Sequence, residues 1–127
     1  MQAFRISGGK KLKGEVRPQG AKNEALQIIC ATLLTSEQII INNIPDIIDI
    51  NKLISLLKSL GVKVKKLKPN SYSFKADNVN LDYLKSEQFK IDGKGLRGSI
   101  MIVGPLLARF GKAYIPRPGG DKIGRRK

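Results

Sequence analysis

The stretch NEALQIICATLL, residues 23 to 34, constrains this fold more than any other. Asn23 is a good N-cap residue, and Ala, Leu and Ile follow with no glycine or proline among them, so the stretch predicts a helix. It is apolar nearly all round, has little to offer water, and is expected to be buried inside other layers. The flanking sequence supplies those layers in alternation. AFRIS (3–7) and GEVRP (14–18) read as two short strands joined by a Gly- and Lys-rich turn, before Pro18 and Gly20 break the pattern. QIIINNI (38–44) is a strand rich in β-branched residues. Asp46 is placed to cap a second helix over about residues 47 to 60. There Ile47, Ile50, Leu53, Ile54, Leu57 and Leu60 recur at helical spacing until Gly61 stops it. VKVKKL (62–67) and SYSFKA (71–76) alternate in period two around Pro69 and Asn70, a hairpin.

Residues 77 to 92 are polar and predict no definite element. LRGSIMIVGPLLARF (96–110) predicts a further apolar helix kinked at Gly104-Pro105, and KAYIPRP (112–118) a short strand leading into the last loop. The order is βαβαββ in broad outline after one initial strand, which places the chain in the α/β class. Segments 23–42 and 97–116 match in kind, helix then strand, so a repeated unit is expected whose second copy is cut off at Lys127. Such a cut predicts a piece of something longer.

Composition narrows the chemistry. Apolar residues make up 41% of the 127 and charged residues 27%, the balance of a soluble globular chain. No apolar run approaches the roughly 18 residues of a membrane span, and MQAFRISGGKKLKG lacks the order of a secretory signal, so the cytoplasm is the expected compartment. The single cysteine, Cys30, allows no internal disulfide, and the absence of histidine removes the zinc patterns and the commonest general base. No metal site is expected. A net charge of +14 attracts anions: nucleic acid, acidic membrane or phosphorylated small molecules. RNP-type aromatics and zinc-finger spacing are both missing.

Three constellations could hold an anion. In QGAKNEAL, Lys22 stands just before a helix N-terminus, where free N–H groups and the helix dipole favour negative charge; a capping turn with a surface lysine is the plainer alternative. In KGLRGSI, Arg97 opens the later helix between glycines and could grip a phosphate or carboxylate in bidentate fashion, or simply face solvent. In PRPGGDKIGRRK, Gly119 and Gly120 permit close approach of a ligand, Asp121 is a lone acid, and Arg125 and Arg126 are cations; a flexible basic loop is the other reading.

Taken together, QGAKNEALQIICATLL, LRGSIMIVGPLLARFG and PRPGGDKIGRR, in this order and spacing, resemble the N-terminal part of the UDP-N-acetylglucosamine 1-carboxyvinyltransferases, members of the enolpyruvyl transferase family. The resemblance covers essentially the whole chain. The sister enzymes acting on shikimate 3-phosphate share the fold but open the helix with serine and arginine where this chain has AKNEAL. The resemblance implies transfer of the enolpyruvyl group of phosphoenolpyruvate to the 3′-hydroxyl of UDP-N-acetylglucosamine with release of phosphate, a step of peptidoglycan synthesis, and no cofactor. It implies an inside-out α/β barrel of repeated βαβαββ units in two lobes. Residues 1–20 would be strands of the second lobe. Residues 21–127 would be the N-terminal part of the first lobe, ending in the active-site loop.

By the same resemblance, Lys22, Asn23 and Arg126 would contact phosphoenolpyruvate, and Asn23, Arg97 and Arg126 the sugar nucleotide. Arg125 falls at a position with no specific role in the family. Most members carry a cysteine proton donor where this chain has Asp121, and some carry aspartate, so Asp121 would be the general acid. An aspartate ordinarily titrates near pH ~3.9 and a cysteine near ~8.5. To donate at neutral pH, Asp121 needs desolvation or the substrate's negative charges, while neighbouring arginines push the other way. Cys30, inside an apolar helix, is expected in the core rather than in that role. A further catalytic carboxylate is implied beyond residue 127, so the 127 residues alone are expected to be inactive, with apolar surface left bare on the helices at 23–34 and 97–110. The complete protein is expected to be a monomer that binds neither nucleic acid nor membrane. Two other functions remain open on the sequence: a basic nucleic-acid-binding module, and a paralogue that binds sugar nucleotide without turnover.

Overall fold

The computed structural model describes residues 3–94 and 96–115. Helix α1 runs from Lys22 to Ala31 and tightens into a 3-10 turn over Thr32–Leu34. It starts one residue before the expected cap. Ala21 holds the cap position with extended backbone (φ −72°, ψ 129°), and its carbonyl accepts the first helical bond from the Ala25 N–H at 3.0 Å. Asn23 is therefore a helical residue and caps nothing. The cause lies one step upstream, where the Gly20 backbone presses on the loop after the first strand. A Cβ on Gly20 would stand 1.9 Å from the Asn43 carbonyl oxygen, so the chain is pinned there and is free to coil directly after it. The helix is also less enclosed than expected. Ala25, Leu26, Ile29 and Cys30 are buried, but Ile28 faces outward.

Strand β1 (Gln38–Ile41) leads through a loop to helix α2 (Ile48–Ser59), which buries Ile50, Leu53, Ile54, Leu56 and Leu57. Four of the six residues of the expected stripe lie in this helix, with Leu56 added; Leu60 is buried just past its end, and Ile47, half-buried, stands just before it. Gly61, at φ +97°, follows the helix end as expected. Asp46 does not cap it. Its Oδ1 accepts a hydrogen bond from Asn51 Nδ2 at 2.9 Å, and Ile47, with extended backbone, stands at the cap position after a tight turn in which its N–H donates to the Pro45 carbonyl at 3.1 Å.

Strands β2 (Lys63–Lys68) and β3 (Ser71–Lys75) form the expected hairpin, with Asn70 at φ 59° in its turn. The sheet order is β1-β3-β2, and β3 pairs antiparallel with both neighbours: Ile39 opposite Phe74, and Val64 opposite Phe74. β1 and β2 thus run the same way and are joined across the sheet by α2. Phe74 is fully buried at the centre, with Ile41, Val64 and Tyr72 packed against the same core as α1 and α2.

The polar stretch that gave no expectation holds a 3-10 turn (Tyr83–Lys85) and helix α3 (Glu87–Lys94). Ser86 Oγ accepts the Phe89 N–H at 3.1 Å, a side-chain cap, and Phe89 sits edge-on to Tyr83 with ring centroids 5.6 Å apart. The later apolar segment is not one kinked helix. It is a 3-10 run over Arg97–Ile102 followed by helix α4 (Val103–Phe110). Gly104 and Pro105 fall in the first turn of α4, where a missing N–H breaks no helical bond, so proline starts this helix rather than bending it.

Two expected strand regions are not strands among the described residues. Residues 3–20 carry no regular structure, and Phe4, Ile6, Leu12 and Val16 are all about nine-tenths exposed or more, Phe4 at 98%. Two short strands without a third strand or a covering helix have too little to bury. Residues 112–115 are likewise irregular, with no neighbouring strand to pair with; 116–118 lie outside the described residues.

Candidate functional site

Lys22 is the first residue of α1, and Asp49 the second of α2. The two helices pack through a common core that includes Leu26, Ile29, Ile50 and Leu53. That packing brings their N-terminal ends together, and the Lys22 ammonium forms an ion pair with the Asp49 carboxylate. The pair borders an open groove of about 350 Å³ lined by Lys22, Ile47, Ile48 and Asp49. Beside it, a smaller hollow of about 90 Å³ runs along Gly20, Ala21, Glu24 and the Asn42–Asn43 loop. Two helix N-termini, each positive by its dipole, and one ammonium make this end of the molecule attractive to an anion; Asp49 offsets part of that charge.

Asn23 lies one residue further into α1 and is exposed. The backbone of Arg97 opens the 3-10 run that packs on α1. A Cβ on the next residue, Gly98, would come within 3.0 Å of Leu26 Cδ2, so that turn and α1 are in tight contact. The fold therefore gathers Lys22, Asn23 and the Arg97 backbone on or against one helix. Asp121 and Arg126 lie outside the described residues.

Other titrating groups are turned away from this role. Cys30 is buried, and burial pushes its thiol up to about 12, so it stays protonated and inert near neutral pH. This agrees with the core position expected for it. The Tyr83 hydroxyl is also raised to about 12, first by burial and then by the hydrogen bond it donates to Asp92; a bond with Ser59 acts in the opposite direction. Asp77 is held below the usual carboxylate range, chiefly by the hydrogen bond from Lys63 Nζ at 2.9 Å.

A family model described as EPSP synthase (3-phosphoshikimate 1-carboxyvinyltransferase) matches residues 6–126. The chain belongs to the EPSP synthase family. Within reach of that family are relatives named UDP-N-acetylglucosamine 1-carboxyvinyltransferase. The protein from Bacteroides fragilis is 61% identical over 127 residues, which is 100% of this chain and 29% of that protein. The one from Porphyromonas gingivalis is 60% identical with the same coverage, and the one from Wolinella succinogenes 42% identical over 99% of this chain. The chain spans 29% of the length of these relatives.

The sequence singles out Lys22 as a candidate through the residues around it, but it does not show two groups that the fold sets close to this stretch. Asp49 pairs with it across a helix–helix contact, which no local motif encodes. Its one local trace is an acid in the first turn of a helix, a common complement to the dipole. Asn43, whose carbonyl pins Gly20, is hidden for the same reason. Its φ of 59° is the only special feature, and a local sequence rule gives no reason to connect it with Gly20.

Proposed function

We propose that this chain supplies the first part of a carboxyvinyl transferase acting on phosphoenolpyruvate and UDP-N-acetylglucosamine, in the committed step of peptidoglycan synthesis in the cytoplasm. The observation that carries the reading is 61% identity across the whole chain to a protein of that name, against a family model that carries the shikimate enzyme's name. Identity at that level, with GAKNEA at the start of α1, favours the sugar-nucleotide branch.

The reaction adds and then eliminates. The sugar 3′-oxygen bonds to carbon 2 of phosphoenolpyruvate while carbon 3 gains a proton, and the hydroxyl proton leaves to a base. Carbon 3 then loses a proton, the double bond re-forms, and the carbon 2–oxygen bond to phosphate breaks. Negative charge on phosphate and carboxylate must be held throughout, which asks for fixed cations and positive helix ends. Lys22, at the N-terminal ends of α1 and α2, suits that task. Asn23 would bridge both substrates, Arg97 and Arg126 would hold the sugar nucleotide, Arg126 would also face phosphoenolpyruvate, and Asp121 would protonate carbon 3. Residues 1–20 would pair with a second lobe, which accounts for their bare apolar side chains here. Residues 21–127 would begin the first lobe of an inside-out barrel. Both substrates are anions, so the charge of +14 needs no nucleic acid to explain it.

The test is phosphate release by the full chain as its gene encodes it, with each substrate omitted in turn. Release that requires both substrates is expected. Release with shikimate 3-phosphate in place of UDP-N-acetylglucosamine would move the chain to the sister branch, and binding of sugar nucleotide without release would make it a non-catalytic paralogue.

A further inference from the structure

We infer that Asp49 is a positioning residue for Lys22, setting where the ammonium stands when phosphoenolpyruvate binds; this rests on the placement of Lys22 in the phosphoenolpyruvate site proposed above. A lysine side chain at the first turn of a helix has four rotatable bonds and could lie in many directions. Here it is committed to one carboxylate. Asp49 is equally committed. Asp46, the acid just before α2, takes Asn51 instead. Asp49 has Lys22.

Stability does not explain the pair. The side chains are 49% and 38% exposed, and a half-open ion pair of this kind contributes little to folding. What it does fix is geometry. Asp49 rides on α2, which packs on α1 and buries Ile50 and Leu53 in the same core, so the backbone that carries its carboxylate is fixed beside the groove. An ammonium has three N–H donors. One engaged by Asp49 leaves two for an anion in the groove lined by Lys22, Ile47, Ile48 and Asp49.

The carboxylate also repels that anion. This gives the inference a signature that a merely structural residue lacks. Removing the negative charge leaves the ground-state attraction for phosphoenolpyruvate intact or stronger, while the loosened lysine no longer meets the charge that develops in the transition state. Catalysis falls and binding does not.

The experiment measures steady-state kinetics of the full chain for Asp49→Ala, Asp49→Asn and Asp49→Glu, alone and combined with Lys22→Arg, with melting temperature as a check on folding. For the Ala and Asn variants, kcat is expected to fall roughly tenfold to a hundredfold, the scale of a misplaced catalytic group, with KM for phosphoenolpyruvate unchanged or lower. Asp49→Glu keeps a carboxylate and should recover most of kcat. In the Lys22→Arg background the loss from Asp49→Asn should be smaller, since the group it positions is already altered. A kcat near the wild-type value in both Asp49→Ala and Asp49→Asn, with Lys22→Ala inactive, overturns the inference and leaves the site reading standing. So does a raised KM at unchanged kcat, or a full loss that persists unchanged in the Lys22→Arg background. Normal turnover by Lys22→Ala overturns the site reading itself, and the inference with it.

Discussion

Lys22 sits on an exposed helix end, so its charge can be removed without opening the core. Lys22→Ala in the full chain should abolish phosphoenolpyruvate-dependent phosphate release while the melting temperature stays nearly the same, as read by a phosphate assay and a thermal scan. Arg109 is the opposite kind of cation. Its Nη1 donates to the carbonyls of Leu33, Thr35 and Ala76 at 3.0, 3.0 and 2.8 Å, tying α4 to the turn after α1 and to the end of β3. Arg109→Ala leaves those acceptors short of a donor and should destabilise the fold by about 2–3 kcal/mol in denaturant titration, with no direct effect on substrate contacts. Asp121 differs from a loop cysteine in nucleophilicity. Fosfomycin is an epoxide that alkylates a reactive thiolate, and a carboxylate is a far poorer nucleophile than a thiolate. The full chain should stay active in fosfomycin and show no adduct by mass spectrometry. Asp121→Cys should restore sensitivity, and Asp121→Asn should lose most turnover along with the proton donor.

Elements were legible where their signals are local. The helical spacing of Ile50, Leu53, Ile54 and Leu57 found α2, and period-two alternation around Asn70 found the hairpin, because burying one face forces those repeats. Legibility failed where a segment depends on something distant. AFRIS and GEVRP have strand composition but no strand partner among the described residues, and Asp46 had cap chemistry while the backbone turned one residue too late. The cap that does form, Ser86 to Phe89, lay inside a stretch too polar to show a period. The site divides in the same way: Lys22 could be read from its neighbours in sequence, but Asp49 only from the packing of two helices. Burial of α1 also makes a pH prediction. Cys30 has a raised pKa, so its neutral thiol supports the fold fully below about pH 9, its ordinary value. That contribution is lost as pH climbs toward about 12, because the unfolded chain gives up the thiol proton first. Tyr83 acts with the same sign, from 10.0 toward about 12. Urea midpoints measured from pH 8 to 11 should therefore decline, and Cys30→Ala should decline less steeply from a lower starting value, because it removes the titration but leaves a small cavity.

For the molecule as a whole, the balance of covered and bare surface is the informative quantity. The core of α1, α2, the sheet and α4 is continuous, and Leu33, Leu53, Leu57, Phe74, Ile102 and Leu106 are fully buried in it. Yet Ile28 and Leu34 in and beside α1, Ile100 and Met101 before α4, and Leu107 on it are each more than two-fifths exposed, the bare apolar surface expected on these two segments. Phe4, Ile6, Leu12 and Val16 add further bare apolar surface. In the two-lobed site proposed for the longer protein, these 127 residues would carry only the groups from Lys22 to Arg126. The purified 127-residue chain should accordingly bind a hydrophobic dye such as ANS, well above the level of a polypeptide of the relatives' full length carrying the same segment. It should give no carboxyvinyl transfer at substrate concentrations that saturate the longer form. Measurable transfer by the 127 residues alone, followed as UDP-N-acetylglucosamine enolpyruvate by mass spectrometry, would place every group the reaction needs within this chain and remove the two-lobe account of the site.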